Sequence, residues 1–321
     1  MKTILAYRLS AFGDVAMAIP VFKEFTEQNP DVRIVMVSRK NFSGLFEQIP
    51  QVIFKGIDVD DYKGYWGMRR LVKELISEFQ PDYIADLHDV IRTKIMNRLF
   101  RRRGYSVHII DKGKEDKEEL TDVWNLEKKQ LKRTVERYAD VLRSIGYPLV
   151  LSHYYRPITT EKEGIGFAPF AQHKGKMMPL EKSYELVRIL SEKYKVYLFG
   201  GGSEEIEILD SWQKQNPNIT SLAGKLSLAE ELERIGRLKV MISMDSANMH
   251  LASLVGTRCI SVWGATHPYA GFLGYGQSEA DVVQVSDLSC RPCSVFGDKE
   301  CYRGDWACLH ELNIQKILDK I

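Results

Sequence analysis

Short apolar runs alternate with helix-like stretches from one end of the chain to the other. The runs show little apolar–polar alternation, which is typical of strands in a parallel sheet that is buried on both faces. In the first half we predict strands at Ile4–Leu9, Arg33–Val37, Val52–Ile57, Tyr83–Leu87 and Val107–Ile110. In the second half we predict strands at Ile165–Phe167, Val196–Gly200, Val240–Met244 and Cys259–Trp263.

The stretches between these strands carry apolar residues at helical spacing. A longer helix is predicted from Leu126 to Ile145, because Gly146 and then Pro148 follow it. The charged stretch Asp111–Glu119 is predicted to be a solvated, mobile loop, and the last dozen residues a terminal helix. The other helices are predicted near residues 15–28, 66–79, 91–103, 180–193, 204–215, 227–237 and 247–255.

This order of elements predicts an α/β protein with two doubly wound domains. We place the first at residues 1–155 and the second at 156–321, joined near residues 148–162. Sheets of this kind bind ligands outside the carboxyl ends of their strands, so we expect a site in a cleft between the two domains.

Composition narrows the class of protein. The 321 residues are 44% hydrophobic and 27% charged, which excludes a disordered chain. The net charge of +2 indicates no general attraction to nucleic acid. No apolar run approaches the roughly 18 residues that a membrane span needs, and Arg8 interrupts the N-terminal apolar stretch too early for a signal peptide. We therefore expect a cytoplasmic protein.

The segment Arg8–Asp14 follows the first predicted strand. Gly13 in this turn would let a ligand approach the backbone closely. Asp14 would lie in the first helical turn, where the helix dipole favours a carboxylate. Such a carboxylate either caps the helix or accepts a proton from an attacking hydroxyl group. The segment lacks G-x-G-x-x-G, so a dinucleotide fingerprint is not supported.

A second segment begins where a strand ends at Asp245 and Ser246 is suited to cap a helix. The first N–H groups of that helix would bind a phosphate or diphosphate, and His250 would contact the same anion or a sugar hydroxyl. Thr266 follows the next strand and would bring a hydroxyl group to the same place. The alternatives are a capped helix with a half-buried histidine and an ordinary turn.

Three further features are less specific. Lys176 lies between a strand and a helix, where it either binds phosphate or is simply solvated. A basic segment has three possible roles: a solvated helix face, a site for an anionic acceptor, or a contact with a membrane surface. Its residues are Arg92, Lys94 and Arg98. Four cysteines are spaced C-x2-C-x7-C-x6-C and indicate either a small zinc knuckle or four thiols: Cys290, Cys293, Cys301 and Cys308.

Taken together, these motifs resemble glycosyltransferase family 9, the bacterial lipopolysaccharide heptosyltransferases. Arg8–Asp14 resembles the family segment R-x-S-x-x-G-D, and Asp245–His250 resembles D-S-G-x-x-H with Ala247 in place of glycine. Lys176–Pro179 is similar to K-x-W-P, with Met178 where tryptophan is usual. Two more segments are similar to G-P-T-D-P and L-x-G-K-x-S-L: Gly264–Pro268 and Leu222–Leu228.

The resemblance implies a GT-B architecture, in which two Rossmann-like domains face a cleft. It also implies an inverting transfer of heptose from ADP-heptose to a lipopolysaccharide core acceptor, with no cofactor needed for catalysis. By position, Asp14 would be the general base and Lys176 would neutralise donor phosphate. The implied donor-binding residues are Ser10, Gly13, Gly224, Asp245, Ser246, Ala247, His250 and Thr266. The basic residues of the predicted helix remain the candidates for acceptor binding: Arg92, Lys94 and Arg98.

The expected partners are a nucleotide-sugar donor and a lipid-linked saccharide, with a peripheral contact to the inner membrane and no nucleic acid. Ala247 adds a methyl group where backbone would approach the diphosphate, and Met178 changes the expected pocket wall. Two alternatives therefore stay open: a transferase that uses a UDP- or GDP-sugar, and a family member that binds a nucleotide sugar without catalysis. A hydrolase or epimerase would need a water-activating or redox group that no motif supplies.

Overall fold

The computed structural model describes residues 1–47 and 49–321. It divides the chain into two compact units, which are described separately. The first unit comprises Met1–Lys112 and Thr134–His153, and the second comprises Gly113–Arg133 and Tyr154–Ile321. The sequence suggests a single boundary near residue 155. The structure instead divides the chain at His153 and assigns the earlier segment 113–133 to the second unit as well.

Each unit is built on a parallel sheet. The strands of the first unit are β1 (Lys2–Tyr7), β2 (Val32–Arg39), β3 (Val52–Ile57), β4 (Tyr83–Asp86) and β5 (Ser106–Ile109). Those of the second are β6 (Ile165–Ala168), β7 (Val196–Leu198), β8 (Ile219–Ser221), β9 (Val240–Met244), β10 (Cys259–Trp263) and β11 (Val282–Gln284).

Helices connect the strands. Within the described residues they are α1 (Phe12–Ala16), α2 (Ala18–Gln28), α3 (Gly64–Phe79), α4 (Ile91–Arg101), α5 (Lys114–Leu120), α6 (Thr134–Ser144), α7 (Leu180–Ser191), α8 (Ser203–Gln213), α9 (Leu228–Gly236), α10 (Ala247–Leu254), α11 (Ala307–His310) and α12 (Gln315–Leu318). In that same part of the chain, none is both long and apolar enough to cross a bilayer.

The strand order reverses once in each sheet. The orders are β3-β2-β1-β4-β5 and β11-β10-β9-β6-β7-β8, so the chain changes direction between β1 and β4 and again between β6 and β9. The central strands are buried on both faces because helices cover both sides, which explains their lack of apolar–polar alternation. In folds of this kind, ligands bind at the carboxyl ends of the strands where the order reverses. The predicted doubly wound sheets are confirmed.

Two sequence predictions on either side of residue 120 are wrong. The charged stretch predicted to be a loop contains α5, because acidic residues in its first turn complement the helix dipole and Leu120 is buried. The helix predicted from Leu126 to Ile145 exists only as α6, from Thr134. The N–H group of Leu131 donates instead to the Tyr269 carbonyl at 2.9 Å, so a contact distant in sequence replaces the helical one.

The predicted terminal helix is also wrong. Of the last dozen residues, only His310, where α11 ends, and α12 are helical. The side chain of Asn313 accepts a hydrogen bond from the Gln315 N–H group at 2.9 Å and starts α12 separately.

Replacement of Gly67 tests how closely α3 packs against the turn before it. Alanine is favoured over glycine in a helix interior by about 1 kcal/mol. A methyl group on Gly67 would nevertheless lie 2.7 Å from the backbone Cα and O atoms of Tyr62. We expect Gly67→Ala to lower the free energy of unfolding by about 1–3 kcal/mol, measured by urea denaturation. Gly201→Ala is the control because that position is open, and equal stability of both variants would contradict the packing described.

Candidate active site

In the first unit, functional side chains lie where the strand order reverses. Asp14 follows β1 in the first turn of α1, and His88 follows β4. The carboxyl ends of these adjacent parallel strands meet at one edge of the sheet, as in other doubly wound folds that bind ligands there.

Asp14 contacts Arg8 and the backbone of its own turn. Its Oδ2 atom lies 2.7 Å from Arg8 Nη2 and accepts a hydrogen bond from the Ala11 N–H group at 3.2 Å. The Asp14 side chain remains 23% exposed, whereas that of Arg8 is only 10% exposed. The ion pair orients the Asp14 carboxylate, which remains partly exposed.

Arg8 is fixed by its surroundings. Its Nη1 donates to the Leu87 carbonyl at 2.5 Å, and its guanidinium lies 5.7 Å from the ring centre of Tyr138. Burial opposes the charge, but Tyr138 and Asp14 hold the pKa of Arg8 above its ordinary value. The Tyr138 hydroxyl donates to the backbone carbonyl of Asp14 at 3.2 Å and so braces α1.

His88 completes this part of the site. Its Nδ1 accepts from the Leu9 N–H group at 3.3 Å, so Nε2 carries the proton and faces the Ser10 hydroxyl oxygen, also at 3.3 Å. Burial, followed by the charge of Arg8, lowers the pKa of His88 to about 3. The imidazole is therefore neutral near pH 7.

The turn at His88 depends on Asp86, which is fully buried. Its Oδ1 accepts from the His88 and Asp89 N–H groups at 2.8 and 2.9 Å, and its Oδ2 accepts from Asn97 at 2.7 Å. Tyr7 in turn donates to Asn97. A buried carboxylate satisfied in this way fixes the turn, since each lost partner would leave an unpaired polar group.

In the second unit, three loops meet at one carboxylate. Lys176 Nζ lies 2.9 Å from Asp245 Oδ2, and the Thr266 hydroxyl donates to the same oxygen at 2.9 Å. These residues follow β6, β9 and β10, respectively. Asp245 is 3% exposed and Lys176 is 15% exposed, so the ammonium group has the more accessible position. The structure thus brings together three residues predicted separately.

Backbone hydrogen bonds join the loops that carry this cluster. The N–H group of Ala265 donates to the Gly175 carbonyl at 2.8 Å, and the N–H group of Gly175 donates to the Gly297 carbonyl at 3.2 Å. A Cβ atom on Gly264 would lie 2.6 Å from the Gly175 carbonyl, so glycine is needed for this approach. The position of the Lys176 side chain therefore depends on residues far away in sequence.

The helix opening at Ser246 differs in detail from the prediction. Ser246 occupies the N-cap position of α10, but its side chain makes no cap hydrogen bond; its Oγ lies 3.2 Å from Ser243 Oγ. Ala247 is half-buried at the start of α10, and His250 is buried within the unit. Of the first-turn N–H groups, that of Met249 donates to the Ser246 carbonyl at 3.3 Å, and anion binding at this turn stays a prediction.

The other predicted residues have different surroundings. Gly13 lies within α1, and Gly224 has a φ of +66° in the turn that precedes α9. Met178 lies in the hydrophobic core, not in a pocket wall as expected. The three acceptor candidates are all exposed on α4. Lys94 and Arg98 are four residues apart and lie on one face of the helix, whereas Arg92 lies on another.

The four cysteines carry free thiols: Cys290, Cys293, Cys301 and Cys308. Burial raises the pKa of Cys308 to about 12, and burial also raises that of Cys293. Among the described residues, no three side chains of the metal-binding types are arranged to hold an ion. The zinc knuckle stays a prediction.

Sequence reasoning missed Arg8, His88 and Arg291 as parts of the site. Arg8 and His88 each lie within or beside a motif, but their roles depend on contacts across the sheet. Arg291 is buried against the loop that contains Thr266. The only signal for it was its position between two closely spaced cysteines.

Comparison with known proteins agrees with this architecture. A crystal structure of a family 9 glycosyl transferase from Veillonella parvula is 17% identical, with a TM-score of 0.75 over 99% of this chain and 95% of that chain. The E. coli heptosyltransferase WaaC with ADP is also 17% identical, with a TM-score of 0.71 over 99% of each chain. The shared fold of two Rossmann-like units is the GT-B fold of glycosyltransferases.

The family is shown by sequence. The model of "Glycosyltransferase family 9 (heptosyltransferase)" matches residues 106–302. The lipooligosaccharide heptosyltransferase 2 of Campylobacter jejuni is 20% identical over 318 residues, which cover 96% of this chain and 93% of the relative. The chain belongs to glycosyltransferase family 9. It is a glycosyltransferase, and its family and relatives support a heptosyltransferase activity.

The low pKa of His88 predicts a specific acid sensitivity. Below about pH 6.5 the unfolded chain binds a proton at this histidine, whereas the folded chain does not until about pH 3. Stability is therefore lost as the pH falls through this range, by about 2 kcal/mol at pH 5. We expect His88→Gln to lose less stability than the wild type between pH 7.5 and pH 5, as measured by denaturant unfolding.

His310→Gln is the control, because His310 is exposed and lies in another unit. An identical loss of stability in the wild type and His88→Gln would show that His88 titrates normally in the folded protein.

Proposed function

We propose that this chain transfers a heptose from ADP-heptose to a lipopolysaccharide core acceptor with inversion at the anomeric carbon. The proposal rests on the family membership and on two groups of side chains with opposite chemical properties. The first unit presents an accessible carboxylate at Asp14, and the second presents a cation at Lys176. An acceptor hydroxyl needs a carboxylate to take its proton, and a departing diphosphate needs a cation to offset its charge.

In the proposed reaction, the acceptor hydroxyl oxygen attacks the anomeric carbon of the donor. The hydroxyl proton passes to the carboxylate of Asp14, the bond from the anomeric carbon to the diphosphate oxygen breaks, and ADP leaves with that electron pair. The ion pair with Arg8 orients the Asp14 carboxylate before the reaction. Proton transfer then becomes favourable as the hydroxyl oxygen forms its new bond and becomes more acidic.

On the donor side, Lys176 offsets the negative charge that develops on the diphosphate. Asp245 accepts one of the three N–H bonds of this ammonium group, and the other two are suited to phosphate oxygens. The first-turn N–H groups of α10 add further positive potential. These groups supply electrostatic stabilisation from protein residues alone.

The accessible position of Asp14 carries the proposal most directly. Asp245 is almost fully buried and bonded to Lys176 and Thr266, which suits it to orient those groups. The Asp14 side chain has the exposure that a general base requires.

Replacement of Asp14 tests the base. We expect Asp14→Asn to lower kcat by about 10²- to 10⁴-fold, because the amide cannot accept the proton. The assay is release of ADP from ADP-heptose in the presence of a heptose-deficient lipopolysaccharide. Asp60→Asn is the control, since Asp60 is an acidic first-turn residue that is exposed at the surface. Full activity of Asp14→Asn would overturn the proposed base.

Nucleotide-dependent stabilisation tests the donor. A ligand at 100 times its Kd stabilises the folded state by about 2.7 kcal/mol. We expect ADP and ADP-heptose to raise the Tm, and UDP and GDP to leave it unchanged. Lys176→Met should reduce the ADP shift, because the variant removes the cation. A Tm shift with UDP or GDP alone would show that the donor is a UDP- or GDP-sugar. No shift with any nucleotide would favour a family member that has lost the donor site.

A further inference from the structure

We propose that Arg291 is a positioning residue for the donor side of the reaction, acting through the loop Trp263–Thr266. The inference rests on the proposed function, because it assumes that Lys176 and its partners bind the donor. Arg291 does not belong to that cluster. It lies in the cysteine-rich segment, 25 residues beyond Thr266 in sequence, and is 6% exposed.

The guanidinium of Arg291 binds the backbone of the loop directly. Its Nε donates to the Gly264 carbonyl at 2.5 Å. Its Nη2 donates to the carbonyls of Trp263 at 3.2 Å and Thr266 at 2.9 Å. One side chain thus binds three of the four carbonyls in this loop, and the fourth, that of Ala265, accepts from the N–H group of Cys293 at 3.1 Å.

The same guanidinium anchors the loop to the edge of the sheet. Its Nη1 donates to the Val285 carbonyl at 2.6 Å, and its Nη2 also lies 3.0 Å from Gln284 Oε1. Both acceptors are at the carboxyl end of β11, which pairs with β10. Arg291 therefore connects the ends of two adjacent strands, which a shorter or singly bonded side chain cannot do.

Burial of the charged Arg291 guanidinium is energetically unfavourable. In the part of the chain that the structure describes, no carboxylate lies within ion-pair distance of its guanidinium, and its charge is balanced by carbonyl oxygens. Burial lowers the pKa of Arg291 to about 10, so it remains a cation at neutral pH. A planar fork of five N–H bonds is the group that satisfies several carbonyls at once, and lysine has no equivalent geometry.

The loop held by Arg291 leads to the donor cluster in two steps. The Thr266 carbonyl accepts from Arg291, while the Thr266 hydroxyl donates to Asp245. Asp245 in turn pairs with Lys176. A second connection runs through Ala265, whose N–H group donates to the Gly175 carbonyl beside Lys176. Displacement of the loop would therefore move the hydroxyl, the carboxylate and the ammonium group together.

The test compares Arg291→Lys with Arg258→Lys in the full chain. Arg258 is the matched control: its guanidinium makes two hydrogen bonds to Asp281, at the opposite end of β10 from Thr266. We expect both variants to have a lower Tm. Only Arg291→Lys should lower kcat/KM for ADP-heptose, by about 10- to 100-fold, with the KM for the acceptor unchanged, because a small displacement of catalytic groups has effects of this size.

A double-mutant cycle shows whether Arg291 acts through Thr266. We expect Thr266→Val and Arg291→Lys to be non-additive in kcat/KM, because both perturb one connected network. Should Arg291→Lys fail to fold, Gln284→Leu removes one acceptor of Arg291 and is expected to lower kcat/KM by a few-fold. Additive effects, or a loss in Arg291→Lys no larger than in Arg258→Lys, would overturn the inference.

Affinity for ADP, measured by calorimetry, separates this inference from the proposed function. Wild-type protein that neither binds ADP nor transfers heptose would overturn the proposed function together with the inference. Active wild-type protein and an equally active Arg291→Lys variant would overturn the inference alone.

Discussion

The ion pair between Lys176 and Asp245 connects two loops of the second unit that are far apart in sequence, and Thr266 connects a third loop to the same carboxylate. A carboxylate as buried as that of Asp245 is tolerated only when its oxygens are well bonded, and breaking such a pair is strongly destabilising. The Thr266 hydroxyl supplies the additional bond. The loops after β6, β9 and β10 must therefore keep a common geometry, which explains why glycine, main-chain hydrogen bonds and a buried arginine converge on them.

The first unit also contains an aspartate ion pair, but its carboxylate is the more exposed of the two. Asp14 is paired with Arg8, but its side chain is several times more exposed than that of Asp245. The buried carboxylate of that unit is Asp86, which holds the turn carrying His88. In both units, a buried aspartate fixes loops at the reversal of strand order. The first unit leaves a carboxylate accessible and the second leaves an ammonium group more accessible than its partner.

Two ionisable groups that are unfavourable to bury lie close to these loops. His88 is held neutral, and Arg291 is held charged without a carboxylate partner among the described residues. Each lowers stability relative to an apolar core residue. Their concentration at the carboxyl ends of the strands is the pattern expected when a fold retains unfavourable local features for function.

The sequence by itself determined the two doubly wound sheets, because buried parallel strands lack alternation whatever their neighbours are. It also determined the motifs that carry Asp14, Lys176, Asp245 and Thr266, since ligand-binding loops in such folds follow the carboxyl ends of strands. It did not determine the extent of α6 or the placement of residues 113–133, because Leu131 exchanges a helical hydrogen bond for one to Tyr269. Only the tertiary structure showed that Arg8 pairs with Asp14 and that Arg291 holds the Thr266 loop. Side-chain hydrogen bonds across a sheet depend on register and loop geometry, which local spacing does not encode.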